Sequence, residues 1–165
     1  MSYDLSKPLV IGISSRALFN LEQENKIFEE QGVEAYEAYQ VTHENEILQK
    51  GAAFQLIKAF LKLNNTGLGR LVEVIIMSRN NANTCLRIFN SIQYYGLDIT
   101  RATLTSGAEI APYLKAFKTD LFLSANSVDV QSAINDGIAA GLILTGAAHA
   151  DAKQKIDQIR ICLLY

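Results

Sequence analysis

The 165-residue chain has two cysteines, Cys85 and Cys162, two histidines, and no large excess of either charge. Each shortage closes off a class of function. Two isolated thiols without close spacing to each other or to a histidine cannot supply the four converging ligands of a structural zinc site, and they are expected to be buried and reduced. With 15 basic and 17 acidic residues, a formal net charge of −2, the chain has no electrostatic reason to take up a nucleic acid polymer or an anionic membrane surface. Apolar runs such as "VEVIIM" and "GLILTGAA" are far shorter than the roughly 20 residues of a membrane helix. The opening "MSYDLSKPLV" lacks the basic region and apolar core of a secretory signal, so a cytoplasmic location is expected. There is no low-complexity tract and no short internal repeat, and the length fits one domain over 1–165.

What is present is an alternation. Residues 9–13, "LVIGI", are short, apolar and β-branched and follow Pro8, which reads as a buried strand. Similar runs recur at 71–77, 102–106, 120–126, 140–146 and 158–165. Helical periods lie between them: "AAFQLIKAFLKLNN" carries Phe54, Ile57, Leu61 and Leu63 near one face, and "NTCLRIFNSIQYYG" carries Leu86, Phe89 and Ile92 before Gly96. Strands of nearly continuous hydrophobicity alternating with helices predict an α/β fold, a three-layer Rossmann-like parallel sheet covered on both faces. The charged and aromatic stretch 20–50 interrupts the pattern and reads as two short helices forming a small cap-like insertion.

In such a sheet a ligand binds beyond the carboxyl ends of the strands. The residues found there are Ser14, Ser15 and Arg16 after the first strand, Ser78, Arg79 and Asn80 after the second, Ser106 after the third, and Ser124 and Asn126 after the fourth. All are polar and none is a carboxylate. Seven of them, Ser14, Ser15, Arg16, Ser78, Asn80, Ser124 and Asn126, form the candidate ligand-binding set. Hydroxyls, amides and a guanidinium can hydrogen-bond a phosphate or a sugar, yet they include no hard-oxygen metal ligand and no base. The same residue types are also the favoured caps and turns at strand ends, so both roles stay open. Elsewhere the signals are weaker. His43 in "THENE" reads as a surface or capping residue, His149 lies in a polar stretch, and Asp129, which could orient a ligand, is expected rather to face solvent or cap a helix. The glycines of "TGLGR" do not open a helix after a strand, so a phosphate loop is not supported.

Several segments together, "ISSRALF", "YQVTHENEIL", "GAAFQLIKAFLKLN", "IIMSRN", "RIFNSIQYYGLDITRATLTSGAEIAPYLKAF" and "DLFLSAN", resemble the cytosolic 5'-nucleotidase type I family. The resemblance runs from about residue 9 to 161. It implies a haloacid-dehalogenase-like fold and, for the family, magnesium-dependent hydrolysis of nucleoside 5'-monophosphates such as AMP. Family members carry their catalytic motif, of the form "FDGDAVLF", in their second half, and this chain resembles only the first. Set against that motif, "GISSRALF" puts Ile13 at the position of the nucleophilic aspartate and Ser15 at that of the general acid. Ser78 takes the Ser/Thr position of the superfamily, Ile110 the lysine position, and Ser124 and Ala125 the positions of the magnesium-binding acids.

The resemblance therefore implies a degenerate, truncated pseudoenzyme with no catalytic residue and no metal ligand of its own, magnesium being implied by the family alone. Its expected role is that of a structural or nucleotide-binding module with a nucleoside monophosphate as ligand. The alternative is a phosphohydrolase using the Ser/Arg/Asn cluster directly. The apolar segment 158–165 reads as an orphan terminal strand, which is expected to add to the sheet, pair in a homodimer or meet a missing catalytic half.

Overall fold

Five apolar runs form five strands: β1 Leu9–Ile13, β2 Val72–Ser78, β3 Arg101–Leu104, β4 Leu121–Ser124 and β5 Ala139–Leu142. The computed structural model describes residues 8–81 and 85–145; the segment 158–165, Cys162 and His149 lie outside the described residues. The strands hydrogen-bond in the order β3-β2-β1-β4-β5, and every neighbouring pair is parallel. This is the α/β parallel sheet that the alternation predicts. β1 is central, with Ile13 opposite Ile76 on one side and Leu123 on the other.

The pleat sends alternate residues into two cores. Ile11, Ile13, Val74, Ile76 and Leu123 pack with Phe54, Ile57, Leu61, Ile88 and Ile92, which belong to α3 (Phe54–Lys62) and α4 (Leu86–Tyr94). Val10, Ile75, Met77 and Phe122 pack with Ile110, Leu114 and Ala133 on the opposite face, against α5 (Ala111–Ala116) and α6 (Ser127–Asn135). Gly12 belongs to this second face: a Cβ there would stand 3.2 Å from both Met77 and Phe122 and 3.3 Å from Leu114, so the missing side chain lets α5 close onto the central strand.

Helix faces differ in detail from the periodicity. Leu63 falls in a 3₁₀ turn, Leu63–Thr66, and leaves the apolar face. On α4, Leu86 and Phe89 are exposed and the buried stripe is Ile88, Ser91 and Ile92. The face is turned by Arg87, whose guanidinium is buried against Glu24 and whose Nε donates to the Glu46 carbonyl at 2.9 Å.

Strand ends also stop earlier than the apolar runs suggest. β3 gives way where Ser106 takes a left-handed backbone, φ 49°, and β4 ends before Asn126 because that residue caps α6. After β1 the chain makes a single turn, α1 Ser15–Leu18, and then α2, Glu22–Thr42, which Gly32 breaks in two at φ 86°, ψ −176°. Backbone of this kind is essentially restricted to glycine. The segment returns through Leu48, whose amide donates to Ser91 Oγ at 2.9 Å and whose carbonyl accepts from the Tyr95 hydroxyl at 2.9 Å. Polar bonds therefore fasten residues 20–50 to α4 through sites that are remote in sequence.

Candidate functional site

The connections through α3 and α4 run over one face of the sheet and those through α5 and α6 over the other. Strand order consequently reverses between β1 and β4, and loops diverging from such a point leave a crevice at the carboxyl ends. A cleft of about 670 Å³ occupies that place, lined by Ser15 and Arg16 beyond β1, Arg79, Asn80 and Asn81 beyond β2, Ser106 and Gly107 beyond β3, and Asn126 beyond β4. Its outer wall is α2, which contributes Asn25, Phe28, Val33, Tyr36 and Glu37. The volume lies inside the roughly 300 to 1,000 Å³ usual for small-molecule sites.

The seven strand-end residues divide into two layers. Ser15, Arg16, Asn80 and Asn126 line the cleft. Ser14, Ser78 and Ser124 lie beneath it as caps: Ser14 Oγ accepts from the amides of Ala17 and Ala125, each at 3.2 Å, Ser78 Oγ from the Asn80 amide at 3.2 Å, and Ser124 Oγ from the Asn126 amide at 3.1 Å. The cap reading thus holds for Ser14, Ser78 and Ser124, while Asn126 both lines the cleft and caps a helix. Among the described residues, Ser15 Oγ meets another hydroxyl, that of Ser78, at 3.3 Å.

Asp129 corrects its expectation. Rather than facing solvent or capping α6, it is 6% exposed and accepts from the Nε of Arg79 at 3.0 Å, with the same guanidinium's Nη2 also on it. Asn126 is the cap, its Oδ1 accepting from the amides of Val128 at 2.8 Å and Asp129 at 3.2 Å. Arg79, left out of the candidate seven although it stands between two of them, is therefore a cleft residue fixed from beyond β4. Fifty positions separate the pair, and nothing in local sequence signals it.

Arg16 is held too. Its Nε and Nη2 donate to the two carboxylate oxygens of Glu22 at 3.3 and 3.2 Å, and its Nη1 to Asn25 Oδ1 at 3.0 Å. That hydrogen bonding, chiefly, holds the Glu22 carboxyl below its ordinary value. Glu37 accepts from the amide nitrogen of Asn81. Tyr36 is pushed up, mainly by burial, so its phenol stays protonated and able to donate. Away from the cleft, burial pushes the Cys85 thiol to about 12, and His43 ends α2, stacked on Tyr39 with ring centroids 3.9 Å apart.

The positions at which the resemblance would place chemistry are apolar or engaged. Ile13 is fully buried, Ile110 sits in the core beneath α5, and Ala125 packs against the larger apolar cluster. Over nearly its whole length the chain matches the family model of 5'-nucleotidase, residues 1–163. The chain belongs to the 5'-nucleotidase family. Human cytosolic 5'-nucleotidase 1B is 39% identical over 158 residues, which cover 90% of this chain and 26% of that protein. The chain thus spans about a quarter of the length of this relative.

Magnesium, which the resemblance implies, can be tested against the side chains of this family member. The carboxylates about the cleft, Glu22, Glu37 and Asp129, are each engaged by a different partner. Among the described residues no three His, Cys, Asp or Glu side chains converge. The donors at the strand ends are neutral hydroxyls and amides, which suit a hydrogen-bonding ligand and not a divalent cation. The residues present do not fit the metal. No helix among the described residues is long and apolar enough to cross a membrane.

Proposed function

We propose that this chain is a catalytically silent module of 5'-nucleotidase architecture that binds a nucleoside 5'-monophosphate, or its nucleoside part, in the strand-end cleft. One observation carries the reading: the last residue of the central strand, where the resemblance puts the attacking carboxylate, is Ile13, with no exposed surface at all. Phosphoryl transfer through an aspartyl-phosphate needs a carboxylate nucleophile and a metal to offset charge on the phosphoryl oxygens, and a buried hydrocarbon provides neither. A direct role for Ser15 as nucleophile is unsupported, since its hydroxyl pairs with the hydroxyl of Ser78 and not with a base. The ligand class follows from the family together with a cleft that combines amides and hydroxyls with the aromatic rings of Phe28 and Tyr36.

The purified chain is expected to release no inorganic phosphate from AMP in magnesium, while AMP or adenosine perturbs backbone amide signals of residues 15–16, 79–81 and 126 in an NMR titration. Turnover that survives rigorous purification and disappears in Ser15→Ala or Arg16→Ala would overturn the silent reading. Absence of any perturbation by either compound would overturn the binding reading.

A further inference from the structure

Three features of the cleft bear on which part of a nucleotide it can recognise. Both guanidiniums that reach it are already neutralised: Arg16 is doubly hydrogen-bonded to Glu22, and Arg79 holds Asp129. With Glu37 also on the lining, two cations face three carboxylates. Pulling Arg79 off Asp129 to meet a ligand phosphate would strand a carboxylate whose side chain is 5% exposed, so Arg79 can offer an anion only the Nη1 that Asp129 does not use. The start of α6, the natural place for an anion beside this cleft, is largely taken: the amides of Val128 and Asp129 donate to Asn126 Oδ1, and the Asp129 carboxylate already occupies the first turn.

The unsatisfied part of the cleft is neutral and apolar. Phe28 is 48% exposed and Val33 55% exposed, both on the lining. Phe28 meets Tyr36 in an edge-to-face arrangement, with ring centroids 5.9 Å apart and planes 82° apart. An aromatic surface beside the side-chain amides of Asn80 and Asn126, the latter capping α6 through Oδ1 and not through Nδ2, can stack a heterocyclic base and hydrogen-bond its edge or a sugar hydroxyl.

Resting on the binding reading above, we infer that the cleft selects the nucleoside and not the phosphate: its ligand is a neutral base-plus-ribose compound, and a 5'-phosphate adds nothing to affinity. A nucleoside is what hydrolysis of a nucleoside monophosphate leaves behind, so the site is built to register product chemistry rather than substrate charge.

Isothermal titration of the full chain with adenosine, uridine, their 5'-monophosphates and inorganic phosphate distinguishes the cases. At least one nucleoside is expected to bind within about threefold of its monophosphate, with inorganic phosphate neither binding nor competing. Glu22→Gln, which unlocks Arg16, is expected to raise the monophosphate-to-nucleoside affinity ratio several-fold. Phe28→Ala, at a half-exposed position and with its fold checked by circular dichroism, is expected to weaken nucleoside binding by on the order of 5- to 150-fold, the range for removing one base-stacking ring. A monophosphate binding tenfold or more tighter than its nucleoside, or displacement of bound nucleoside by inorganic phosphate, overturns this inference and leaves the binding reading intact. Unchanged affinity in Phe28→Ala overturns the aromatic wall as the recognition element. If none of the nucleosides or monophosphates binds, the binding reading itself falls, and this inference with it.

Discussion

At the scale of single residues, the cleft is governed by who holds whom. Asp129 lies at the start of α6 with its carboxylate buried, and Arg79 is the cation that makes that burial tolerable. Arg79→Ala removes the partner and leaves an uncompensated acid, so a loss on the order of 1 to 3 kcal/mol is expected from the unsatisfied group. Urea titration of the variant checks the size. Arg79→Ala with Asp129→Asn should recover part of the loss, because the double change no longer buries a charge. The same relation explains why Asp129 misleads in sequence. An acid in the first turn of a helix is commonplace as a dipole partner or cap, and only the strand order brings a residue fifty positions earlier within reach. Ile13 shows the reverse case: its position at the end of an apolar strand already implies a buried side chain, and the structure places it there.

Among the elements, the decisive contact is that between the turn after β1 and the return of the 20–50 segment. Gly51 donates its amide to the Leu18 carbonyl at 2.9 Å, and a Cβ on it would stand 2.7 to 2.8 Å from backbone atoms of Phe19, Ala17 and Leu18. Backbone cannot rotate aside as a side chain can. Gly51→Ala should therefore separate the return segment from α1 and destabilise the chain by about 1 to 3 kcal/mol or more, the usual range for overpacking. Thermal melting of the variant against the parent tests it; an unchanged midpoint would mean that the two segments slide apart without loss. Gly32 works differently. Nothing lies near its Cβ position, but its backbone is one that L side chains rarely adopt, so it fixes the angle at which Val33 and Tyr36 approach the cleft. The composition of 20–50 indicates helices; its docking on α4 through Ser91, Asn90 and Arg87 is a matter of non-local hydrogen bonds that no helical period records.

For the molecule as a whole, restoring the family's aspartates on this scaffold is expected to fail. In Ile13→Asp with Ser15→Asp, one carboxylate would enter the centre of the sheet with hydrocarbon on both flanking strands, opposite Ile76 and Leu123. Burial of an unpaired acid raises its pKa and costs stability, here by about 3 kcal/mol or more. The acids needed for a metal would still be absent at Ser124 and Ala125. The expected result is a less stable chain, by denaturant titration, that releases no phosphate from AMP; magnesium-dependent turnover by this variant would mean that the site is closer to competence than its side chains suggest.

The sequence by itself determined the class of fold and the end of the sheet where a ligand would sit. Those rest on local signals: apolar runs of strand length, helical periods between them, and polar residues wherever a run stops. It also carried the family resemblance and the residues, Ile13 and Ser15, that stand where that resemblance would put aspartates, because both are statements about residue identity along the chain. Tertiary structure alone decided which of the seven polar residues line the cleft and which lie beneath it. It likewise joined Arg79 to Asp129 and brought α2 round as the cleft's aromatic wall. Pairings of this kind close loops of tens of residues, and their energy depends on strand order and on burial, neither of which is written in the neighbouring residues.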